Sequence, residues 1–230
     1  MTNTTPIISL ENVDILQNNH IVFENISFQI NRGDFLYLIG ETGSGKSSLL
    51  KTLYAETKNT KGKIKLDHFN IDSITKKEIP FLRRKVGIIF QDFKLLSDRN
   101  LTENLRFVLE ATGWKSNSKI KNRIKEVLKS VHLENMEDKM PHELSGGEQQ
   151  RAAISRSLLN YPEVILADEP TGNLDPKKSE AIIQLLKEIN KTGTTILIAT
   201  HDYNIIEKFP AHTFKCEEKK VVEINNRDLV

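Results

Sequence analysis

One junction constrains this chain more than any other. The continuous apolar run Phe35-Leu36-Tyr37-Leu38-Ile39 passes without a break into Gly40-Glu41-Thr42-Gly43-Ser44-Gly45-Lys46-Ser47, and from there into the helix-like Ser48-Leu49-Leu50-Lys51-Thr52-Leu53. A run of that length suits a central strand buried on both faces. The following residues fit G-x-x-x-x-G-K-[ST], in which glycines let backbone N–H groups turn inward around phosphate oxygens and the helix start adds its dipole. Lys46 supplies positive charge to the β- and γ-phosphates, and the Ser47 hydroxyl can ligate Mg²⁺. A glycine-rich turn with a surface lysine is the bland alternative. The strand–loop–helix setting weighs against it.

The junction predicts an α/β fold. Val164-Ile165-Leu166-Ala167 and Thr195-Ile196-Leu197-Ile198-Ala199 have the same buried-strand character, and each lies beside a helical pattern, so a parallel sheet with crossover helices is the economical architecture. Before the junction the pattern differs: Ile26, Phe28 and Ile30, and again Ile64 and Leu66, alternate with polar residues, the period of half-buried strands. From about Leu101 to Leu159 no strand signal occurs. Ile120, Ile124, Val127, Leu128 and Val131 mark one helical face, which predicts a helical insert between two parts of the core. Further on, Pro176 suits the first turn of a helix with Ile182, Leu185, Leu186 and Ile189 as its buried stripe and Gly193 just past its end.

Three further elements carry chemistry. The strand ending in Asp168-Glu169 offers one carboxylate to hold Mg²⁺ and a second to orient or deprotonate an attacking water. Leu144-Ser145-Gly146-Gly147-Glu148 opens a helix and makes a second anion cradle, although Ser145 and Glu148 also have capping-box spacing, and local physics does not separate the two readings. His201 follows a buried strand, where a neutral imidazole can donate one hydrogen bond and accept another.

These residues together closely resemble the nucleotide-binding subunits of ABC transporters, over approximately residues 7 to 224. Residues 40–47 match the Walker A motif, residues 144–148 the ABC signature, and residues 164–168 the Walker B motif. Gln91 falls at the Q-loop glutamine, Asn173-Leu174-Asp175 at the D-loop and His201 at the switch histidine. The resemblance implies a P-loop NTPase of the ABC ATPase type, with an antiparallel β subdomain and an inserted α-helical subdomain. It implies a single domain over residues 1–230, in which 1–91 and 160–230 form the nucleotide-binding core and 92–159 the helical insert. It further implies ATP and Mg²⁺ as cofactors and ATP hydrolysis as the activity. Nucleotide contact then falls to Gly40, Glu41, Thr42, Gly43, Ser44, Gly45, Lys46, Ser47 and Ser48. Mg²⁺ falls to Ser47, Gln91 and Asp168, and catalysis to Glu169, His201 and Gln91. The resemblance also implies that ATP pairs two copies head to tail, with Ser145, Gly146, Gly147 and Asp175 of each copy serving the site whose Lys46 belongs to the other. One departure stands out. The family stacks adenine on an aromatic ring upstream of Walker A, whereas Asp14-Ile15-Leu16-Gln17-Asn18 has none, which leaves Leu16 or a neighbour to make apolar contact.

A narrower likeness comes from Gln91-Asp92-Phe93-Lys94-Leu95-Leu96-Ser97-Asp98-Arg99 and Ala199-Thr200-His201-Asp202, which look most like the cell-division members of the family. It implies a polytopic membrane partner docking near residues 91–99. Closure would then pass through the membrane to septal peptidoglycan hydrolases. Lipoprotein-release and macrolide-efflux ATPases share Glu148-Gln149-Gln150-Arg151 and the run from Ala167 to Asp175, and a soluble ABC ATPase is the reading of a different class. Composition bears on these. The 33 Lys and Arg against 31 Asp and Glu leave a net charge of +2, too weak a field to make nucleic acid the default partner. The longest apolar runs fall far short of the roughly 20 residues of a membrane-spanning helix. Met1-Thr2-Asn3-Thr4-Thr5-Pro6 has neither a basic start nor an apolar segment, so the expected location is cytoplasmic, peripheral on the inner membrane face through the partner. Cys216 is alone, which excludes an intrachain disulfide framework.

Overall fold

The computed structural model describes residues 5–17 and 20–224, without the side chains of residues 59 and 60. Two sheets pass the chain between them. The antiparallel one contains β1 (Ile8–Gln17), β2 (His20–Ile30), β4 (Asn59–Leu66) and β5 (Phe69–Asn70), in the order β2-β1-β4-β5. The larger one contains β3 (Phe35–Ile39), β6 (Val86–Ile89), β7 (Val164–Asp168), β8 (Thr195–Thr200), β9 (His212–Glu217) and β10 (Lys220–Ile224), in the order β10-β9-β3-β8-β7-β6. All its neighbours pair in parallel except β9 with β10. Seven α-helices accompany them among the described residues: α1 (Lys46–Leu53), α2 (Ile79–Lys85), α3 (Leu101–Ala111), α4 (Asn117–Ser130), α5 (Gly146–Leu158), α6 (Pro176–Lys191) and α7 (Tyr203–Lys208). None is long and apolar enough to cross a membrane.

The continuous apolar strands are explained by what lies on either side of the large sheet. Tyr37, Ile39, Ile165, Ile196 and Ile198 join the buried stripes of α3, α4, α5 and α6 on one face. The alternate residues Leu36, Leu38, Leu166, Leu197 and Ala199 pack with α1 and the antiparallel sheet on the other. With period-2 side chains and both faces covered, each strand position must be apolar. The predicted stripe of α4 is buried, as are Ile182, Leu185, Leu186 and Ile189 of α6. Asp175 caps α6, Pro176 follows it, and Gly193 adopts φ +102 beyond its end. The helices α3, α4 and α5 pack pairwise, and α5 also lies against β6 and α6, so it belongs as much to the core as to the helical layer.

Register fixes where the chemistry goes. Ile39 lies beside Thr200, Asp168 beside Ala199, and Ile89 beside Ala167. The loops after β3, β6, β7 and β8 therefore leave the sheet at one edge, the carboxyl end, where open α/β sheets bind ligands.

Candidate active site

The loop after β3 ends at Gly45, whose φ of +96 is left-handed and whose Cβ, if present, would lie 2.8 Å from the Phe23 ring. Only glycine fits there without strain. Gly45 also begins α1, and no side chain caps that helix start, which leaves its first N–H groups for a ligand. The Lys46 side chain is only 6% exposed; its Nζ donates to Gly40 O at 2.7 Å and Glu41 O at 3.1 Å and lies 3.9 Å from Glu169 Oε1. Ser47 Oγ donates to Asp168 Oδ1 at 3.0 Å, and Ser48 Oγ donates to Gln17 Oε1 at 2.9 Å. Inside the loop the Ser44 hydroxyl is buried without a hydrogen-bond partner.

Across from the loop stand the two carboxylates. Burial pushes the Asp168 carboxyl above its ordinary range, against the Ser47 hydrogen bond, with the Glu169 charge adding to the rise. Glu169 takes a left-handed backbone, φ 48, and its N–H donates to Ala199 O at 2.9 Å, so the chain turns sharply off β7. The turn sends the two adjacent carboxylates to different places. Asp168 meets Ser47, whereas Glu169 Oε1 lies 2.7 Å from His201 Nδ1. Gln91 follows β6, and its carbonyl accepts from Asn173 Nδ2 at 2.9 Å. A cleft of about 280 Å³ is lined by Gln17, Thr42, Gly43, Gly45, Lys46, Ser47, Ser48, Lys51, Gln91, Glu169 and His201. Asp168 lines the adjoining hollow with Lys51, Tyr54 and Gln91.

Not every expected residue is gathered there. Leu16 pairs with Ile21 in the sheet, and its neighbour Gln17 lines the cleft. The alternation signals this: Val13 and Ile15 are buried towards α1, and Gln17 ends that same face. Asn18 lies outside the described residues. Lys51, one helical turn beyond Ser47, is a second cation that motif spacing alone does not single out. Asp175 caps α6 by accepting Lys178 N–H at 3.0 Å and does not line the cleft, nor does any of Ser145, Gly146 and Gly147. At that second helix start a capping box joins Ser145 to Glu148. Glu148 Oε2 accepts the Ser145 N–H at 2.7 Å and the Ser145 hydroxyl at 2.6 Å, and these bonds hold its carboxyl below its ordinary value.

The cleft fits a magnesium nucleotide. It offers an uncapped helix start, a buried ammonium, and beside them a hydroxyl–carboxylate pair at Ser47 and Asp168. Among the described residues no group of three or more His, Cys, Asp or Glu is arranged to hold a metal. The Ser47–Asp168 pair suits Mg²⁺, which takes one or two protein ligands and completes its shell with phosphate oxygens and water.

Fold and site together define a P-loop nucleoside-triphosphatase of the ATP-binding-cassette kind. The family model described as ABC transporter matches residues 23–172. The cell division ATP-binding protein FtsE of Bacillus subtilis (strain 168) is 46% identical over 202 residues, covering 88% of each chain. Among solved structures, cbiO1 from Clostridium perfringens, part of the ABC transporter complex cbiONQ, superposes with a TM-score of 0.88 at 32% identity over 97% of this chain and 90% of that one. A dimeric post-hydrolysis state of the ATP-binding cassette MJ0796, bound to ADP and Pi, gives 0.83 at 34% identity over 96% and 99%. The chain belongs to the ABC transporter family and is an ATPase of the ABC type.

Proposed function

We propose that the chain is the ATP-hydrolysing subunit of an FtsEX-like membrane complex. ATP-driven pairing of two copies is passed to a polytopic partner resembling FtsX and, through it, to the control of septal peptidoglycan hydrolysis. The observation that supports the ATPase chemistry best is the convergence of Lys46, Ser47, Asp168, Glu169 and His201 on one sheet edge. The cell-division assignment draws on the FtsE relatives.

In this mechanism the triphosphate of ATP displaces the loop carbonyls from Lys46 and takes the free N–H groups at the start of α1. Ser47, Asp168 and Gln91 would hold Mg²⁺. The ion neutralises charge on the β- and γ-phosphates when bound. Glu169 polarises the attacking water, and His201, hydrogen-bonded to Glu169 in the free chain, turns to the γ-phosphate with its other nitrogen. A second copy supplies Ser145, Gly146, Gly147 and Asp175, none of which lines the cleft of its own chain. Replacing Glu169 by Gln removes the base and keeps the shape. Turnover should fall by roughly 10²–10⁴-fold in a phosphate-release assay with ATP still bound. Near-native turnover would take Glu169 out of this role.

The partner docks near residues 91–99. Phe93 and Leu95 are half-buried and Leu96 is 37% exposed, while Phe107, one turn along α3 from Asn104, is 45% exposed beneath the Arg99 guanidinium. Asn104 ties this segment to α3 by accepting Leu96 N–H at 2.7 Å and donating to the carbonyls of Leu96, Arg99 and Asn100. An apolar ledge on a fixed loop suits a helix-in-groove contact. Co-expression with an FtsX-like protein should bring the chain into the membrane fraction, and Leu96→Asp should return it to the supernatant without lowering its melting temperature. Recruitment by a lipoprotein-release permease instead would move the assignment to that branch. Failure of every membrane partner to recruit it would favour a soluble ATPase.

A further inference from the structure

The start of α5 is already occupied by an anion of its own. Gly146 and Gly147 begin the helix, so their N–H groups have no carbonyl of a preceding turn behind them. The carboxylate that settles at this start is that of Glu148. One of its oxygens, Oε2, takes both hydrogens that Ser145 can offer, the N–H at 2.7 Å and the O–H at 2.6 Å. A hydroxyl has one hydrogen to give. While it points at Glu148 it is not available to any second acceptor, and a full negative charge stays beside the place where another anion would come.

We propose that Glu148 is a built-in competitor of the trans γ-phosphate: it holds the Ser145 hydroxyl on its own carboxylate and so sets how readily two ATP-loaded copies close on each other. The proposal rests on the reading in which Ser145 of one copy serves the nucleotide held by the other. Closure then requires the Ser145 O–H to break with Glu148 and donate to the incoming phosphate oxygen, and it brings two like charges to one helix start. The weakness is repeated at both composite sites of a two-fold pair. Glu148 is a positioning residue here, acting through Ser145.

Glutamine at this position separates the competing effect from the cap. Its amide oxygen can still accept the Ser145 N–H, since Gln serves the capping box as Glu does. It carries no charge, and a neutral acceptor holds a hydroxyl roughly half as strongly as an ionised one. Alanine removes the acceptor altogether. The test is sedimentation-velocity measurement of the monomer–dimer equilibrium with MgATP, in a Glu169→Gln background that preserves the nucleotide. Glu148→Gln should lower the dimer dissociation constant by about tenfold, with two sites each relieved of one charge-assisted bond. Glu148→Ala should move it in the same direction. Neither should change nucleotide affinity below the pairing concentration, and the tightening should shrink when Ser145 is also replaced by Ala, where only the like-charge relief remains. Dimers no tighter in both variants, with Ser145→Ala still weakening the pair, would overturn the competitor role alone. A Ser145→Ala chain that pairs as well as its parent would remove the trans-serine reading and this proposal with it.

Discussion

The starts of α1 and α5 are built from similar residues and are prepared for opposite conditions. At α1 the residue before the helix is a left-handed glycine with no side-chain cap, the cleft around it is walled on several sides, and a buried ammonium stands ready. At α5 the preceding residue is an exposed serine in extended conformation, capped by the carboxylate of its own chain. A helix start contributes only about 0.3–1 kcal/mol to a nearby anion when exposed, so what surrounds it decides whether it binds alone. The first start binds by itself because its cation and its empty N–H groups share one walled space. The second has Arg151 and Lys178 beside Gly147, but Glu148 sets a carboxylate against Arg151 there and no cleft of its own chain encloses the serine. In the proposed mechanism one copy therefore holds nucleotide, whereas two are needed to enclose it.

Lys46→Ala is the severest way to attack that contrast. It removes the charge from the first start and should weaken ATP binding by roughly 10–100-fold, the equivalent of about 1.5–3 kcal/mol for bonds to a charged group. Ser145→Ala, measured by calorimetry at concentrations too low for pairing, should leave the same constant unchanged. Equal losses in the two variants would erase the distinction between a self-sufficient and a dependent site. A pair of glycine substitutions probes the backbone next. Gly45→Ala forces a Cβ into left-handed space against Phe23 and should cost about 2 kcal/mol of stability. Gly146→Ala meets only Leu174 at 3.4 Å, an ordinary contact, and should lie within about 0.5 kcal/mol of the parent in denaturant unfolding.

How much of this was legible in the residues depends on the range of the interaction. The strands β3, β7 and β8 were readable because burial on both faces demands apolar residues throughout, and the helical stripe from Ile120 because it repeats with the helix. The phosphate loop was readable because its glycines, lysine and serine are consecutive. Gln17 rather than Leu16 lines the cleft because β1 alternates, with Val13, Ile15 and Gln17 on one face, a signal that the apolar character of Leu16 masks. The double hold of Glu148 on Ser145 was hidden for another reason: the capping-box spacing is the same whether the serine hydroxyl accepts or donates. Nor does local pattern predict the loop after Gln91. Arg156, from the far end of α5, donates to the carbonyls of Phe93 (2.8 Å) and Lys94, two non-glycine residues with φ of 56 and 53. That clamp spans more than sixty positions of chain.

The two starts also predict opposite responses to acid, and this is the finest test of the contrast. Burial raises the Asp168 carboxyl beside the first start. An acid raised on folding costs stability once the pH exceeds its ordinary value of 3.8, and the cost is complete above its folded value. Asp168→Asn should therefore raise the melting temperature of the nucleotide-free chain at neutral pH, by about 2 °C for each ~1 kcal/mol relieved, and the gain should vanish as the pH falls towards 3.8. Glu148, at the second start, is lowered by its bonds to Ser145, so its charged form stabilises the fold above its ordinary value of 4.5, and that contribution is lost as the pH drops through the folded value. Glu148→Gln should lower the neutral-pH melting temperature slightly, with the difference closing in acid. MgATP should then invert only the first effect. A bound cation lets the ionised Asp168 contribute to stability, so ligand should stabilise the parent more than Asp168→Asn, while Glu148→Gln keeps its small deficit at concentrations below pairing. Melts of the three chains against pH, with and without MgATP, read all of this in one experiment. If both substitutions shift in the same direction without nucleotide, the first start is not the strained partner of a relaxed second one.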